Sequence, residues 1–318
     1  MNIFMPIFNH DIDVFVIQIT NRSHLDYVYY KPKPNSIDLD IELVSNLLRA
    51  NLLLEKKINV FEIGWFGEPL LHPKISEIVE IMSNYSININ INSHGDLVKD
   101  WLSILDDKLI KKLRFSISLD GSEKKTIKKI TGKDILDKVI ESMEYIKKRN
   151  LDFDVLFTIS SLNYQELEDA YDMSIHYGCS TFIPIEVFPS NNTYKFLLDD
   201  KMKIQVRKSL DSIISKGASF KTIQFEEPSA NCTYFRKKRI FMDCLGRLSY
   251  CHFLAYLDNV HLTKLSEIDL KNMIIVNSEL RENFTKIKSK NLISWKLPRK
   301  TASPCSYCVY NYGQRVNW

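Results

Sequence analysis

The sequence predicts an α/β fold, an open partial (β/α)6 barrel followed by a small cysteine-bearing C-terminal extension. Short apolar runs alternate with amphipathic segments of helix length across residues 14–187. Strands and helices that alternate in this way form parallel sheets with right-handed crossovers. Six such units, rather than eight, indicate a barrel that does not close. Polar residues cluster after several predicted strands, where sites lie in barrels of this kind.

Each element follows from the hydrophobic period along the chain. Apolar runs bounded by turn residues predict strands at 14–20, 58–63, 87–91, 113–119, 153–159 and 181–187. Apolar residues that recur every three or four positions predict helices at 37–55, 73–83, 97–106, 134–149, 164–177 and 199–216.

The pattern changes after Pro189, and we expect a boundary between 195 and 225. The chain then divides into a barrel of residues 1–200 and an extension of residues 201–318. Glycine and proline are sparse near the boundary, which predicts that the two parts pack together rather than being joined by a flexible linker.

The composition excludes several classes of protein. Of the 318 residues 45% are hydrophobic and 26% charged, as in globular proteins. A net charge of +4 with interspersed signs predicts no nucleic-acid partner, and the basic run at 124–129 is interpreted as an exposed helix face. No apolar stretch approaches the ~20 residues of a membrane span, and no secretory signal begins the chain. We therefore expect a cytoplasmic protein without a membrane partner, whose six cysteines are free or bind metal.

The most distinctive loop follows the second predicted strand and reads Gly64-Trp65-Phe66-Gly67-Glu68-Pro69-Leu70-Leu71-His72-Pro73. Gly67 would let the backbone approach a ligand closely. Glu68 would pair with an ammonium group through a charge-assisted hydrogen bond, and Pro69 would fix the turn. Taken alone, Gly-Glu-Pro is equally compatible with an ordinary strand–helix turn.

Together with the loop after the first strand, this motif resembles the radical SAM family. That loop reads Thr20-Asn21-Arg22-Ser23-His24-Leu25-Asp26-Tyr27-Val28-Tyr29-Tyr30. It resembles the family signature in which Thr-Asn precedes a CxxxCxxC loop that holds a [4Fe-4S] cluster. Gly67-Glu68-Pro69 resembles the GGEP loop that binds the amino group of S-adenosylmethionine (SAM), with Phe66 in place of the first glycine.

Two further loops fit the same resemblance, which covers about residues 13–190. Asn92-Ser93-His94-Gly95 stands where the family often has an Asn-Gly turn. Ser118-Leu119-Asp120-Gly121 is similar to the end of the fourth strand, which contributes to the SAM or substrate pocket. Each is a common turn sequence when taken alone.

The three cysteine positions of the CxxxCxxC loop hold Ser23, Tyr27 and Tyr30. Iron–sulfur clusters are held by thiolates, so the resemblance predicts a degenerate radical SAM protein that does not cleave SAM reductively. Because interiors are close-packed, we expect Tyr27 and Tyr30 to fill the vacated space near Glu68. A packing role alone for this aromatic loop stays open.

The second strong motif is the set of four C-terminal cysteines, Cys232, Cys251, Cys305 and Cys308. With Gly246 before Cys251 and a closing CX2C pair, they resemble the SPASM and twitch extensions of radical SAM proteins. The resemblance implies one auxiliary [4Fe-4S] cluster. The residues alone are also compatible with a structural zinc or with no metal. Cys179 is expected in the core, and Cys244 lies outside the ligand pattern.

Three functions stay open. In the first, the chain is a repurposed non-radical enzyme, a transferase, lyase or isomerase, acting on a peptide or small molecule. Its candidate acid–base groups are His24, Asp26, Tyr27, Tyr30 and His94. Its candidate cofactor-binding residues, which leave SAM binding open, are Gly67, Glu68, Pro69, Ser118 and Asp120. In the second, it is a non-catalytic substrate-binding or partner subunit of an active radical SAM maturase. In the third, the auxiliary cluster transfers electrons. The first is favoured because polar residues persist at the strand ends.

Overall fold

A mostly parallel sheet with helices between its strands forms the protein. The computed structural model describes residues 12–30, 35–52, 57–187, 193–218, 239–249 and 252, and the backbone of 263–264. The strands are β1 (Val14–Ile17), β2 (Val60–Ile63), β3 (Asn88–Ser93), β4 (Leu113–Ser118), β5 (Phe153–Ile159), β6 (Thr181–Glu186), β7 (Arg239–Met242), β8 (Arg247–Ser249) and β9 (Thr263–Lys264). The first six confirm the predicted strands.

Helices lie between the first six strands and after the sixth. They are α1 (Ile41–Leu52), α2 (Ile75–Ser83), α3 (Val98–Ser103), α4 (Asp107–Ile110), α5 (Lys124–Thr131), α6 (Leu136–Lys148), α7 (Leu167–His176) and α8 (Asp200–Ser215). Six of them match the predicted helices with shorter bounds; α4 was not predicted, and α5 was predicted only as the exposed helix face of the basic run. Helix α5 contains the basic run. Its lysines are exposed, which confirms the interpretation of that run as a solvated face.

The strand order is β6-β5-β4-β3-β2-β1-β7-β8-β9 over the described part of the chain. Neighbours from β6 to β7 run parallel, and β8 and β9 join antiparallel. Strands β6 and β9 lie at opposite edges, so the sheet is not closed. The open α/β architecture expected from the sequence is confirmed.

The two faces of the sheet differ in character because side chains alternate along each strand. Phe15, Phe61 and Phe115 are fully buried and belong to the core that the strands share with the helices. The opposite face carries Asn90 and Ser116, whose side chains hydrogen-bond to each other at 3.1 Å. This polar face leads up to the loops at the carboxyl ends of the strands.

The C-terminal region contributes to the same sheet. β7 pairs in parallel with β1, so Val14 lies opposite Arg239. The predicted turn at Gly246 is present: its φ is +73° and its N–H donates to the Asp243 carbonyl at 2.9 Å, between β7 and β8. Strand β7 itself was not predicted. The division at residue 200 stays a prediction.

Cys179 is 8% exposed, which confirms its place in the core. The four predicted metal ligands Cys232, Cys251, Cys305 and Cys308 lie outside the described residues. Within the described part, no helix has the length and apolar character needed to cross a bilayer.

Candidate active site at the carboxyl ends of the strands

The loop after β1 is fastened at both ends across the top of the sheet. Arg22 forms a two-pronged ion pair with Asp38, with Nη2 2.7 Å from Oδ2, and Thr20 Oγ1 donates to the same carboxylate. Further along, the backbone N–H groups of Asp26 and Val28 donate to carbonyls at the end of α5, both at 2.9 Å. The loop therefore presents its side chains at fixed positions over the strand ends.

Tyr27 points into the protein and is 8% exposed. Its hydroxyl donates to Asp120 Oδ2 at 2.8 Å, and its ring lies 4.9 Å from that of His94. Burial raises the pKa of Asp120 to about 6, although the hydrogen bond from Tyr27 opposes the rise. Burial and the nearby Asp120 charge raise the pKa of Tyr27 well above its usual value, so Tyr27 stays a neutral donor.

Tyr30 contacts Phe66, the residue that replaces the first glycine of the GGEP motif. Its ring centroid lies 5.5 Å from that of Phe66, which stands where the GGEP loop has a glycine. Both side chains are partly buried. Two large rings thus meet where the family has a cysteine and a glycine, as expected if they fill space between the loops.

Ser23 stands at the remaining cluster-ligand position, and among the described residues its hydroxyl hydrogen-bonds locally, donating to the Leu25 carbonyl at 3.0 Å. Ser23, Tyr27 and Tyr30 present two phenols and one alcohol. This donor set does not fit a [4Fe-4S] cluster, which requires thiolates.

Glu68 is fully buried and joins the loops after β2 and β3. Its carboxylate accepts from the backbone N–H of His94 at 2.7 Å, from Leu70 N–H at 3.1 Å and from Ser93 Oγ at 3.0 Å to each oxygen. Burial raises the pKa of Glu68 to about 7, against the lowering effect of these donors. These three donors engage both carboxylate oxygens inside the protein, so Glu68 links the two loops.

Gly67 lets the loop after β2 pack closely against the backbone of the loop after β1, and not against a ligand. Its φ is +101°, and a Cβ there would lie 2.5 Å from the Thr20 carbonyl oxygen. Pro69 follows as the first residue of a single 3-10 turn that Glu68 caps. The Gly-Glu-Pro segment therefore fastens the second loop to the first.

His24 and His94 complete the cluster from two different loops. His24 Nε2 lies 2.6 Å from Asp96 Oδ2, and the two imidazole centroids are 6.1 Å apart. Burial lowers the pKa of His94 to about 4, although Asp96 opposes the fall, so its imidazole is neutral at physiological pH. The Nδ1 atoms of both histidines and Asp96 Oδ1 are buried without a hydrogen-bond partner.

The structure brings five of the predicted site residues together, with Asp96 as a sixth member. A contiguous cluster, called here the mouth cluster, comprises His24, Tyr27, Glu68, His94, Asp96 and Asp120. Tyr30 lies beside Phe66. Ser118 ends β4, half-buried, and Asp26 is exposed with its Cβ near Gly132. Asp26 therefore does not join the cluster. No three His, Cys, Asp or Glu side chains within the described ranges are spaced to hold a metal ion.

Two groups of functional interest were not predicted. Asp96 follows the predicted His94-Gly95 turn, and an acidic residue so close to a strand end was an available signal.

The other group surrounds Glu62 on the polar face of β2. Glu62 accepts from Trp65 Nε1 at 2.5 Å and Asn92 Nδ2 at 2.8 Å, and its Oε2 lies 3.0 Å from Arg239 Nη1 of β7. No local sequence pattern links β2 to β7.

Comparison with known proteins gives a family match over part of the chain. The radical SAM superfamily model matches residues 20–174. A GTP 3',8-cyclase of Campylobacter jejuni subsp. doylei is 30% identical over 172 residues, which is 50% of this chain and 51% of the relative. The chain thus spans about half the length of the first curated relatives it matches. A GTP 3',8-cyclase of Clostridium acetobutylicum is 24% identical over 95% of this chain and 98% of its own.

Among solved structures, Streptococcus suis SuiB bound to S-adenosylmethionine superimposes with a TM-score of 0.63 at 13% identity, covering 82% of this chain and 65% of SuiB. At that identity the likeness concerns the fold alone. The parallel sheet, the order of the strand-end loops and the superfamily match agree. The chain therefore carries a domain of the radical SAM superfamily over residues 20–174.

Proposed function

We propose that this chain uses a radical SAM fold for acid–base chemistry at the mouth cluster, on a peptide or small-molecule substrate, without reductive cleavage of SAM. The observation that carries the proposal is the placement of Tyr27. It stands at a cluster-ligand position, yet its hydroxyl donates to buried Asp120 at 2.8 Å and its ring packs on His94.

The chemistry of the mouth cluster supports proton transfer. Burial separates the pKa values of its members: Glu68 at about 7, Asp120 at about 6 and His94 at about 4. Groups whose environments push their pKa values apart are typical of acid–base pairs. Neutral His94 is suited to accept a proton, and the hydrogen bond from the Tyr27 phenol holds the Asp120 carboxyl, the second candidate acid–base group, in place.

Radical chemistry is not proposed, because the residues do not fit its cofactor. The three ligand positions hold Ser23, Tyr27 and Tyr30, and no cysteine precedes Cys179 in the sequence. Glu68 is not proposed as the group that binds SAM, since three donors of the protein, two backbone N–H groups and the Ser93 hydroxyl, already engage both of its oxygens. For the same reasons we do not extend the GTP 3',8-cyclase activity of the curated relatives to this chain.

For the C-terminal cysteines, we propose the single auxiliary [4Fe-4S] cluster suggested by their spacing, on Cys232, Cys251, Cys305 and Cys308. If the cluster is bound there, it would supply a redox-active or structural group in addition to the mouth cluster. Iron, sulfide and zinc analysis of the anaerobically purified chain tests this. About four irons per chain support one cluster, whereas zinc without sulfide contradicts it.

The acid–base proposal is tested by hydrogen exchange, which can be measured before the substrate is identified. The purified chain is incubated in D2O with a cell extract of metabolites and peptides, and mass spectrometry follows deuterium uptake and product formation. We expect at least one compound to be labelled or converted by the parent protein, and not by the His94→Gln variant.

The matched control is His176→Gln, which changes an exposed histidine on α7 and should leave the labelling intact. Labelling that survives in His94→Gln, or no change in any compound, contradicts the proposal. A compound that binds unchanged would favour the alternative of a substrate-binding partner subunit.

A further inference from the structure

The His24–Asp96 pair is the contact in the mouth cluster that the proposed function does not yet use. Its Nε2–Oδ2 separation of 2.6 Å joins the loop after β1 to the loop after β3. The Asp96 side chain is 4% exposed and that of His24 is 21% exposed. A bond this short between such groups is a charge-assisted hydrogen bond, about twice as strong as a neutral one.

The backbone holds Asp96 at this position. Gly95 turns the chain just before it with a φ of +91°, and a Cβ at Gly95 would lie 2.7 Å from Ile117 of β4. Ser93 Oγ accepts from the Gly95 N–H at 3.1 Å while it donates to Glu68. Asp96 is therefore fixed by the packing of its loop against β4 and by the buried Glu68 carboxylate.

The pair determines which nitrogen of His24 carries the proton. Asp96 accepts at Nε2, so in neutral His24 the proton is on Nε2 and Nδ1 carries a lone pair. Nδ1 is buried and has no hydrogen-bond partner. An unpaired buried acceptor is unfavourable, and such atoms in native proteins call for an explanation, a catalytic role among them.

We propose that Asp96 is a positioning residue that holds His24 in its Nε2–H form, so that His24 Nδ1 is a proton acceptor of the mouth cluster. The step is a proton transfer alone: the substrate bond to hydrogen breaks, a new N–H bond forms at Nδ1, and Asp96 stabilises the resulting imidazolium. Burial of Nδ1 keeps bulk water from it. The proposal rests on the proposed function and deepens it.

The surroundings of His24 are consistent with this role. His94 lies 6.1 Å away between ring centroids, and its own Nδ1 is likewise buried and unpaired. Tyr27 packs on His94, and Glu68 accepts from the His94 backbone. Asp96 is the acid in direct contact with the His24 ring within the described residues.

The test reads the imidazole proton directly, by NMR of the full chain with 15N-labelled histidine at about pH 8, above the usual range of imidazole titration. The His24→Gln variant identifies the His24 signals. We expect the parent protein to show the proton on Nε2, shifted downfield and exchanging slowly with water. Finding it on Nδ1 in the parent overturns the proposal without any need for a variant at Asp96.

The second measurement removes the charge of Asp96 and follows the same His24 proton. In Asp96→Asn we expect an upfield shift and about tenfold faster exchange of the Nε2 proton, the factor expected when a charge-assisted bond becomes a neutral one. Asp100→Asn, at an exposed position on α3, is the matched control and should change neither. An unchanged signal in folded Asp96→Asn also overturns the proposal.

These readings are independent of turnover. An absent deuterium label with the expected His24 signals would contradict the acid–base function while leaving the Asp96 contact established.

Discussion

Tyr27→Phe tests the hydrogen bond at the centre of the mouth cluster. The substitution removes one hydroxyl and leaves the ring that packs 4.9 Å from His94. Asp120, 2% exposed, then loses a donor at 2.8 Å. A hydrogen bond to a charged group is worth about 1.5–3 kcal/mol and one to a neutral group about 0.5–1.5 kcal/mol. The free energy cost should therefore depend on whether Asp120 is ionised.

The direction of the pH dependence follows from the pKa of Asp120. Burial raises this pKa to about 6 in the folded protein. The protonated Asp120 carboxyl therefore stabilises the folded state at low pH, and this contribution is lost as pH rises through 6. Removing the Tyr27 donor raises the pKa of Asp120 in the folded protein further, so the free energy of unfolding falls by more as pH rises. We expect Tyr27→Phe to lower the free energy of unfolding by about 2–3 kcal/mol near pH 8 and by about 1 kcal/mol near pH 5.

The assay is urea unfolding followed by tryptophan fluorescence at both pH values. Tyr29→Phe is a matched control on the same loop, because its hydroxyl lies 2.6 Å from the uncharged Ser160 hydroxyl. Its cost should be about 1 kcal/mol at either pH. If Tyr27→Phe costs the same free energy at both pH values, or costs no more than Tyr29→Phe near pH 8, the assignment of Asp120 as the ionised acceptor is refuted.

Three further predictions concern the surrounding structure. Arg239→Met leaves Glu62 buried without its cation and should lower the free energy of unfolding by about 3–5 kcal/mol, most of which Glu62→Gln restores in the double variant; a loss below about 1 kcal/mol in urea unfolding would contradict this. Tyr30→Leu and Phe66→Leu, combined in a double-mutant cycle, should couple by about 0.5–1.5 kcal/mol if the two rings pack as observed, and additive effects would argue against that contact. His94 has its pKa lowered to about 4, so its contribution to stability is present above its usual pKa and is lost as pH falls; His94→Gln should abolish a decline of roughly 3 kcal/mol between about pH 6.5 and pH 4, and an unchanged pH profile would contradict the burial of its neutral ring.

The sequence predicted the alternation of strands and helices well because that signal is local. β5 was predicted with its observed bounds, 153–159, from a short and mostly apolar run. Helix α1 was predicted to begin at 37 but begins at Ile41. Residues 37–39 instead pair with the loop after β1, where Leu39 N–H donates to the Ile19 carbonyl at 2.7 Å. Tertiary pairing overrode a helical spacing that the apolar residues alone satisfied.

The sequence predicted which residues form the site, but it did not predict which of them hydrogen-bond to each other. Loop motifs placed Tyr27 and Asp120 at strand ends, yet the bond between them joins positions 93 apart and follows only from the sheet order. Glu68 was expected to pair with an ammonium group, whereas its donors are Ser93, Leu70 and His94. Short-range patterns identify which loops carry chemistry, and the fold decides which side chains meet.

The most direct test of the central claim is an assay for 5′-deoxyadenosine. The chain is purified and reconstituted anaerobically with iron and sulfide, then incubated with SAM and dithionite, and its iron content is measured on the same sample. Because Ser23, Tyr27 and Tyr30 offer no thiolate, we expect no 5′-deoxyadenosine and no more than about four irons per chain. Formation of 5′-deoxyadenosine, or about eight irons per chain, would contradict the account.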